Sequence, residues 1–201
     1  MSKGLMIVIS GPAGSGKGTV NAHLLKSGEF VYSVSATTRA PRPGEVDGVN
    51  YRFISREDFL SRIETGDMLE YTEYCGNFYG TPKKEAEEVL ASGKNLILEI
   101  EVEGAKNIKA KYPDAVLVLL LPPSFKIQEQ RLRSRGTETE EKILERLART
   151  REELKEAGEY DYVVYNYDGA DLAAADNIRA IVQAEKSAVS RDKNIALKYF
   201  S

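Results

Sequence analysis

Four short apolar runs punctuate an otherwise polar chain: Leu5-Met6-Ile7-Val8-Ile9, Asn95-Leu96-Ile97-Leu98-Glu99-Ile100, Ala115-Val116-Leu117-Val118-Leu119-Leu120-Leu121 and Tyr162-Val163-Val164-Tyr165. Their apolar residues are mostly consecutive rather than alternating, the pattern of strands covered on both faces. Charged segments with helical spacing lie between and after them. Strands separated by helices predict right-handed βαβ units and a parallel sheet, an α/β fold.

The clearest helix is expected over Glu138 to Ala157. Thr137 and Glu140 form a T-x-x-E capping box, Ile143, Leu147 and Leu154 mark an apolar stripe, and Gly158 stands where a C-terminal stop belongs. The section from Ser35 to about Lys94 is polar and rich in tyrosine and turn residues, an insertion between the first and second long βα units. Ser124 to about Thr139, carrying Arg131, Arg133 and Arg135, is a second and smaller excursion. No internal repeat is present, and the tail after about Ser187 carries no interpretable motif.

Composition narrows the class. With 42% hydrophobic and 29% charged residues in 201, the chain reads as one soluble domain of ordinary make-up. A net charge of −3 argues against general attraction to nucleic acid, so any anionic ligand must be met by local basic clusters. No stretch approaches the roughly 18–20 apolar residues of a membrane span, and the N-terminal run is too short for a signal peptide. Cys75 is the single cysteine, which excludes an internal disulfide and fits a cytoplasmic location. Nothing in the pattern selects between a monomer and a homo-oligomer.

The first candidate chemistry is Gly11-Pro12-Ala13-Gly14-Ser15-Gly16-Lys17, a G-x-x-x-x-G-K loop between an expected buried strand and an expected helix, Thr19 to Lys26. The glycines let the backbone curl so that successive N–H groups face phosphate oxygens. The helix N-terminus adds a favourable dipole, and Lys17 a mobile positive charge. Gly18 follows Lys17 where Ser or Thr ordinarily offers Mg²⁺ a hydroxyl, which leaves Thr19 as the nearest metal-binding oxygen.

Such a loop serves kinases, GTPases, motor ATPases and transporters alike, and the arginines help decide. Transfer between two anionic nucleotides juxtaposes much negative charge, and catalysis then rests on positioning and charge stabilisation. Arg39 and Arg42 lie in a loop stiffened by Pro41 and Pro43. Arg131, Arg135 and Arg146 lie in or just after the second excursion. Forked guanidinium groups suit phosphate.

At this point the residues resemble a known family. Ser35-Ala36-Thr37-Thr38-Arg39-Ala40-Pro41-Arg42-Pro43-Gly44-Glu45, followed by Gly48-Val49-Asn50-Tyr51-Arg52-Phe53, is similar to the guanylate kinase signature. Gly76-Asn77-Phe78-Tyr79-Gly80-Thr81 and Arg135-Gly136-Thr137-Glu138-Thr139 strengthen the match. The resemblance runs from the phosphate loop to about Asn166. It implies one domain over 1–201 with a P-loop kinase three-layer fold: a core of 1–34, 95–123 and 155–201, a GMP-binding insertion over 35–94, and a lid over 124–154.

The resemblance also implies the reaction ATP + GMP = ADP + GDP with Mg²⁺, dGMP as a second acceptor, and a place in purine nucleotide metabolism. On that reading the loop from Gly11 to Thr19 holds ATP, together with Arg131, Arg135 and, near adenine, Asn166. Arg39, Arg42, Tyr51 and Tyr79 hold the phosphate of GMP, and Ser35, Glu70, Thr81 and Glu101 surround its guanine. Lys17, Arg39, Arg42, Arg135 and Arg146 form the catalytic set. Elementary chemistry agrees about Glu70: guanine presents N1–H and an exocyclic amine as adjacent donors to a carboxylate, whereas adenine presents an unprotonated N1.

The chain departs from the family at Glu99-Ile100-Glu101-Val102-Glu103, a strand end where relatives commonly carry an Asp. Strand alternation would put Glu99 and Glu101 on one side, with Glu99 near Mg²⁺ through water. Two rivals stay open: a kinase for AMP or a pyrimidine monophosphate, and a non-catalytic guanylate-kinase-like module that binds phosphopeptides. The intact Gly11, Gly16 and Lys17 speak against the second. His23, the single histidine, and Cys75 are read as incidental.

Overall fold

The computed structural model describes residues 3–74, 76–136, 138–192 and 194–200. Cys75 and Thr137 therefore lie outside the described residues. The elements are β1 (Met6–Ser10), α1 (Lys17–Leu25), β2 (Phe30–Tyr32), β3 (Ala36–Thr37), β4 (Arg52–Phe53), α2 (Arg56–Glu64), β5 (Met68–Tyr74), β6 (Asn77–Pro82) and α3 (Lys83–Ala91). There follow β7 (Asn95–Glu99), α4 (Val102–Lys111), β8 (Val116–Leu121), α5 (Phe125–Ser134), α6 (Glu140–Glu153), β9 (Tyr162–Tyr165), α7 (Asp171–Lys186) and α8 (Ile195–Phe200).

The four apolar runs are β1, β7, β8 and β9 of a parallel five-stranded sheet ordered β2-β7-β1-β8-β9. Side chains alternate across each strand, so the two faces of β1 serve different layers. Ile7 and Ile9 pack with Val20 and Leu24 of α1 and with Ala174, Ala175, Ile178 and Val182 of α7. Met6 and Val8 pack with Ala86 and Leu90 of α3 and with Ala105 and Ile108 of α4. Because both faces of β1, β7 and β8 are covered, these strands read as continuous apolar runs, whereas the edge strand β9 leaves Val163 and Tyr165 exposed. The result is a helix–sheet–helix sandwich of three layers.

The expected insertion contains a second sheet ordered β4-β3-β6-β5, with β5 and β6 as an antiparallel hairpin and α2 against it. Phe59 of α2 stacks on Phe78 at 5.3 Å within a small core that includes Ala36 and Met68. Strand β2 was not expected from the sequence. It is three residues long, at the sheet edge, and only Phe30 is fully buried, so its apolar signal is weak.

Two local expectations are corrected. Helix α6 begins at Glu140, with Thr139 as its N-cap accepting from Lys142 N at 3.4 Å, so the Thr137/Glu140 pair does not mark its start. The helix ends at Glu153 and tightens into a 3₁₀ turn over Leu154–Glu159, so Gly158 lies inside that turn rather than past a helix end. The second correction concerns Glu101. Strand β7 stops at Glu99, and Glu101 is the N-cap residue of α4. Strand alternation therefore does not relate the two glutamates.

Candidate active site

The site lies beyond the carboxyl ends of the parallel strands, where an open α/β sheet leaves a crevice. β1 runs into the loop from Gly11 to Gly16, and α1 begins at Lys17, two residues before the expected Thr19. Gly16 sits at φ 89°, and a Cβ there would fall 2.3 Å from Asn166 Nδ2. A Cβ on Gly11 would fall 2.1 Å from the Leu120 carbonyl. Both positions therefore require glycine. The hydroxyl of Ser15 is buried and has no hydrogen-bond partner among the described residues.

Lys17 folds back over the loop, donating from Nζ to Gly11 O at 2.6 Å and more weakly to Pro12 O at 3.4 Å. Burial lowers its pKa. Glu99, Glu101 and Glu153 oppose that shift, and Arg135 adds to it.

Glu99 accepts from Asn21 Nδ2 of α1 at 2.7 Å and from the Tyr32 hydroxyl at 3.4 Å. Burial and this carboxylate push the Tyr32 phenol well above its ordinary range. Glu101 is exposed and instead pairs with Arg149 of α6 at 2.7 Å.

Glu70 is the most distinctive group of the insertion. It is 3% exposed, and its Oε1 accepts from the Thr81 hydroxyl at 2.9 Å across the β5–β6 hairpin. Burial raises its pKa, opposed by the Thr81 hydroxyl and then by Lys111. Its Oε2 faces Gly104 of α4, where an added Cβ would approach within 3.2 Å. Motif reading missed Gly104, because a helical glycine gives no signal without knowledge of what packs on it.

Arg39, just after β3, and Tyr51, just before β4, come together with Tyr79 of β6. Arg39 lies over the Tyr51 ring at 5.4 Å, and the two tyrosine rings meet edge-on at 6.1 Å. Arg39 is also held by Glu45. The Arg42 side chain is exposed, with its backbone N–H donated to the same carboxylate at 2.7 Å. Ser35 is half-buried at the start of this segment, and its carbonyl accepts from Arg52 N at 2.9 Å. Glu45 lies within the signature, yet nothing in the sequence assigned it a partner.

On the other side of the loop a cavity of about 270 Å³ is lined by Gly14, Gly16, Thr19, Arg131, Arg135 and Asn166, among others. Arg131 donates to Gly14 O at 3.2 Å, to Asn166 O at 2.8 Å and to Asp168 at 2.6 Å. Asn166 is 1% exposed, and its Nδ2 donates to Ser15 O at 2.9 Å and to Asp171 at 3.1 Å. Its Oδ1 has no partner among the described residues. Arg146 of α6 pairs with Glu138 at 2.7 Å, while Arg135 stays exposed at the cavity rim.

Thr19 is exposed on the cavity wall, with its hydroxyl available to a metal ion. A Cβ on Gly18 would meet nothing within 4 Å, so no packing requires glycine there. Among the described residues no group of three or more His, Cys, Asp or Glu could hold a metal ion by itself. The donor set suits Mg²⁺, which takes most of its oxygens from water and nucleotide phosphates. No helix among the described residues is long and apolar enough to cross a membrane.

Comparison with known proteins places this geometry. The guanylate kinase family model matches residues 3–185. A guanylate kinase of Clostridioides difficile is 48% identical over 201 residues, covering 100% of this chain and 97% of its own. One of Halalkalibacterium halodurans is 54% identical over 184 residues, covering 91% and 89%. The crystal structure of guanylate kinase from Anaplasma phagocytophilum superposes with a TM-score of 0.79 at 32% identity, covering 100% of this chain and 95% of that one.

Proposed function

The chain belongs to the guanylate kinase family, and from that premise we propose that it phosphorylates GMP with ATP by the following use of its residues. An oxygen of the GMP phosphate attacks the γ-phosphorus of ATP. The bond from that phosphorus to the β,γ-bridging oxygen breaks, and ADP and GDP result.

The observation that carries the reading is the buried Glu70–Thr81 pair, on the same small sheet as Tyr79 and in the same insertion as Arg39 and Tyr51. A carboxylate kept out of water without a cationic partner in hydrogen-bond contact is costly. A guanine edge, offering two adjacent N–H donors, would offset that cost, and an adenine edge would not. Ser35 would complete the base pocket. Glu101, paired with Arg149, would turn part of its carboxylate from that partner toward guanine. The same pocket would admit dGMP.

Arg39, Arg42, Tyr51 and Tyr79 would orient the acceptor phosphate. Gly11 to Thr19 would wrap the ATP phosphates with backbone N–H groups, and Lys17, Arg135 and Arg146 would stabilise charge on the group in flight. For Arg146 this means sharing its guanidinium with Glu138 or leaving it. Asn166 and Arg131 would shape the nucleotide cavity through the loop carbonyls they hold. Thr19 would contribute the protein oxygen to Mg²⁺, which neutralises phosphate charge when bound.

The segments 35–94 and 124–154 would serve as acceptor-binding insertion and lid, closing to exclude water. We place the protein in the cytoplasm, in purine nucleotide metabolism. Alanine at Lys17 or Arg39 then cuts turnover by about 100- to 1,000-fold and leaves the circular dichroism spectrum intact. A normal rate in either variant overturns the assignment.

A further inference from the structure

Three consecutive carbonyls of the phosphate loop are each taken by a side chain from outside the loop. Ala13 O accepts from Gln128 Nε2 at 3.0 Å, Gly14 O from Arg131 Nη1 at 3.2 Å, and Ser15 O from Asn166 Nδ2 at 2.9 Å. These three side chains fix the path of the loop backbone from outside, while the Ser15 N–H closes a turn onto Pro12 O at 3.2 Å. Arg131 and Asn166 belong to the site already described. Gln128 does not, and no motif singled it out.

Gln128 lies on α5 and is 1% exposed. Its amide nitrogen makes a second bond, to Thr150 Oγ1 of α6 at 2.7 Å, and the Thr150 hydroxyl in turn donates to Arg146 O at 3.0 Å. Ala13 O can only accept, so it fixes which end of the amide faces the loop. Both amide hydrogens are then used, one on the phosphate loop and one on the helix that carries Arg146 and Arg149. Thr150 is 2% exposed, so water cannot replace the lost partner cheaply.

We propose that Gln128 is a positioning residue for phosphoryl transfer, a single buried amide that sets the phosphate loop in register with the arginine-bearing helix α6. The inference rests on the reading of Gly11 to Thr19 as the ATP-phosphate site. It predicts a specific division of effects. The ATP side and the chemical step depend on Gln128, whereas the acceptor side depends on it far less, because Arg39, Tyr51, Glu70, Tyr79 and Thr81 belong to the insertion that carries the second sheet.

The test is steady-state kinetics on Gln128→Leu, Thr150→Val, the double variant and Thr150→Ser, with melting temperatures alongside. Gln128→Leu is expected to raise the KM for ATP or lower kcat by about three- to tenfold, with the KM for GMP unchanged. Thr150→Val should do the same to a smaller degree and add little in the Gln128→Leu background. Thr150→Ser, which retains the hydroxyl, should behave as wild type. If Gln128→Leu does not fold, the Thr150 pair carries the test alone. Unchanged kinetics in a destabilised Gln128→Leu protein, or equal losses toward both substrates, would overturn the proposal. Absence of activity in the wild type would instead overturn the reading it rests on.

Discussion

Glu45 grips Arg39 with both carboxylate oxygens, Oε2 accepting from Nη1 and Oε1 from Nη2, at 2.9 Å each. Oε2 also accepts from the backbone N–H of Arg42. One carboxylate thus organises both arginines expected to meet the acceptor phosphate. It also sets a negative charge beside them, so its positioning benefit opposes an electrostatic penalty on the incoming anion.

Two substitutions separate these effects. Glu45→Ala frees the guanidinium and is expected to raise the KM for GMP by about three- to fivefold, the range of a partly exposed ion pair. Glu45→Gln keeps one acceptor oxygen and removes the charge, so its KM should lie at or below the wild-type value. The hydrogen bond from Arg39 holds the Glu45 pKa below the ordinary carboxylate range. The pairing is therefore present at neutral pH and is lost only as pH falls through that depressed value. Equal effects of Ala and Gln would show that charge, not positioning, governs the site.

Glu70 sets function against stability. Its pKa is raised in the folded chain, so its contribution to stability is fully present below the unfolded value and is lost as pH rises through the folded one. Glu70→Gln escapes that loss. The ligand-free variant is expected to melt about 2–4 °C higher at neutral pH, with the difference vanishing in acid. Its kcat/KM for GMP should fall by at least about 100-fold, because an amide presents guanine with a donor where an acceptor is needed. Thermal melts across pH, with rates on the same samples, check both halves.

Thr19 and Gly18 make a reciprocal pair. Thr19→Val removes the proposed metal-binding hydroxyl and should raise the Mg²⁺ concentration needed for half-maximal rate by about two- to tenfold. Gly18→Ser is sterically free and restores a hydroxyl one residue earlier, so the double variant should recover much of the loss. Magnesium titrations of the four proteins decide it. An unchanged requirement in Thr19→Val would remove Thr19 from the metal site.

The layered core was legible because burial on both faces leaves an unmistakable mark: Ile7 and Val8 look alike in sequence although they face opposite layers. The tight turn of residues 11–16 was legible because glycine at 11 and 16 has a steric reason. What stayed hidden depends on partners far apart in the chain. Gln128 reads as one polar residue among many on α5 until Ala13 and Thr150 are seen against its amide. Glu45, though inside a recognisable motif, gains its meaning from the direction of the Arg39 side chain. The end of β7 was misjudged because Ile100 prolongs an apolar run after the hydrogen-bonded ladder has stopped at Glu99.

The most direct test of the account is ADP formation from ATP and Mg²⁺ with GMP, dGMP, AMP, CMP and UMP supplied separately. Rapid release with GMP, a lesser or equal rate with dGMP, and near-background rates with the other three are expected from a buried Glu70–Thr81 pair that reads the guanine edge. Comparable turnover on AMP would contradict that assignment of Glu70, and no turnover on any acceptor by the folded protein would contradict the account as a whole.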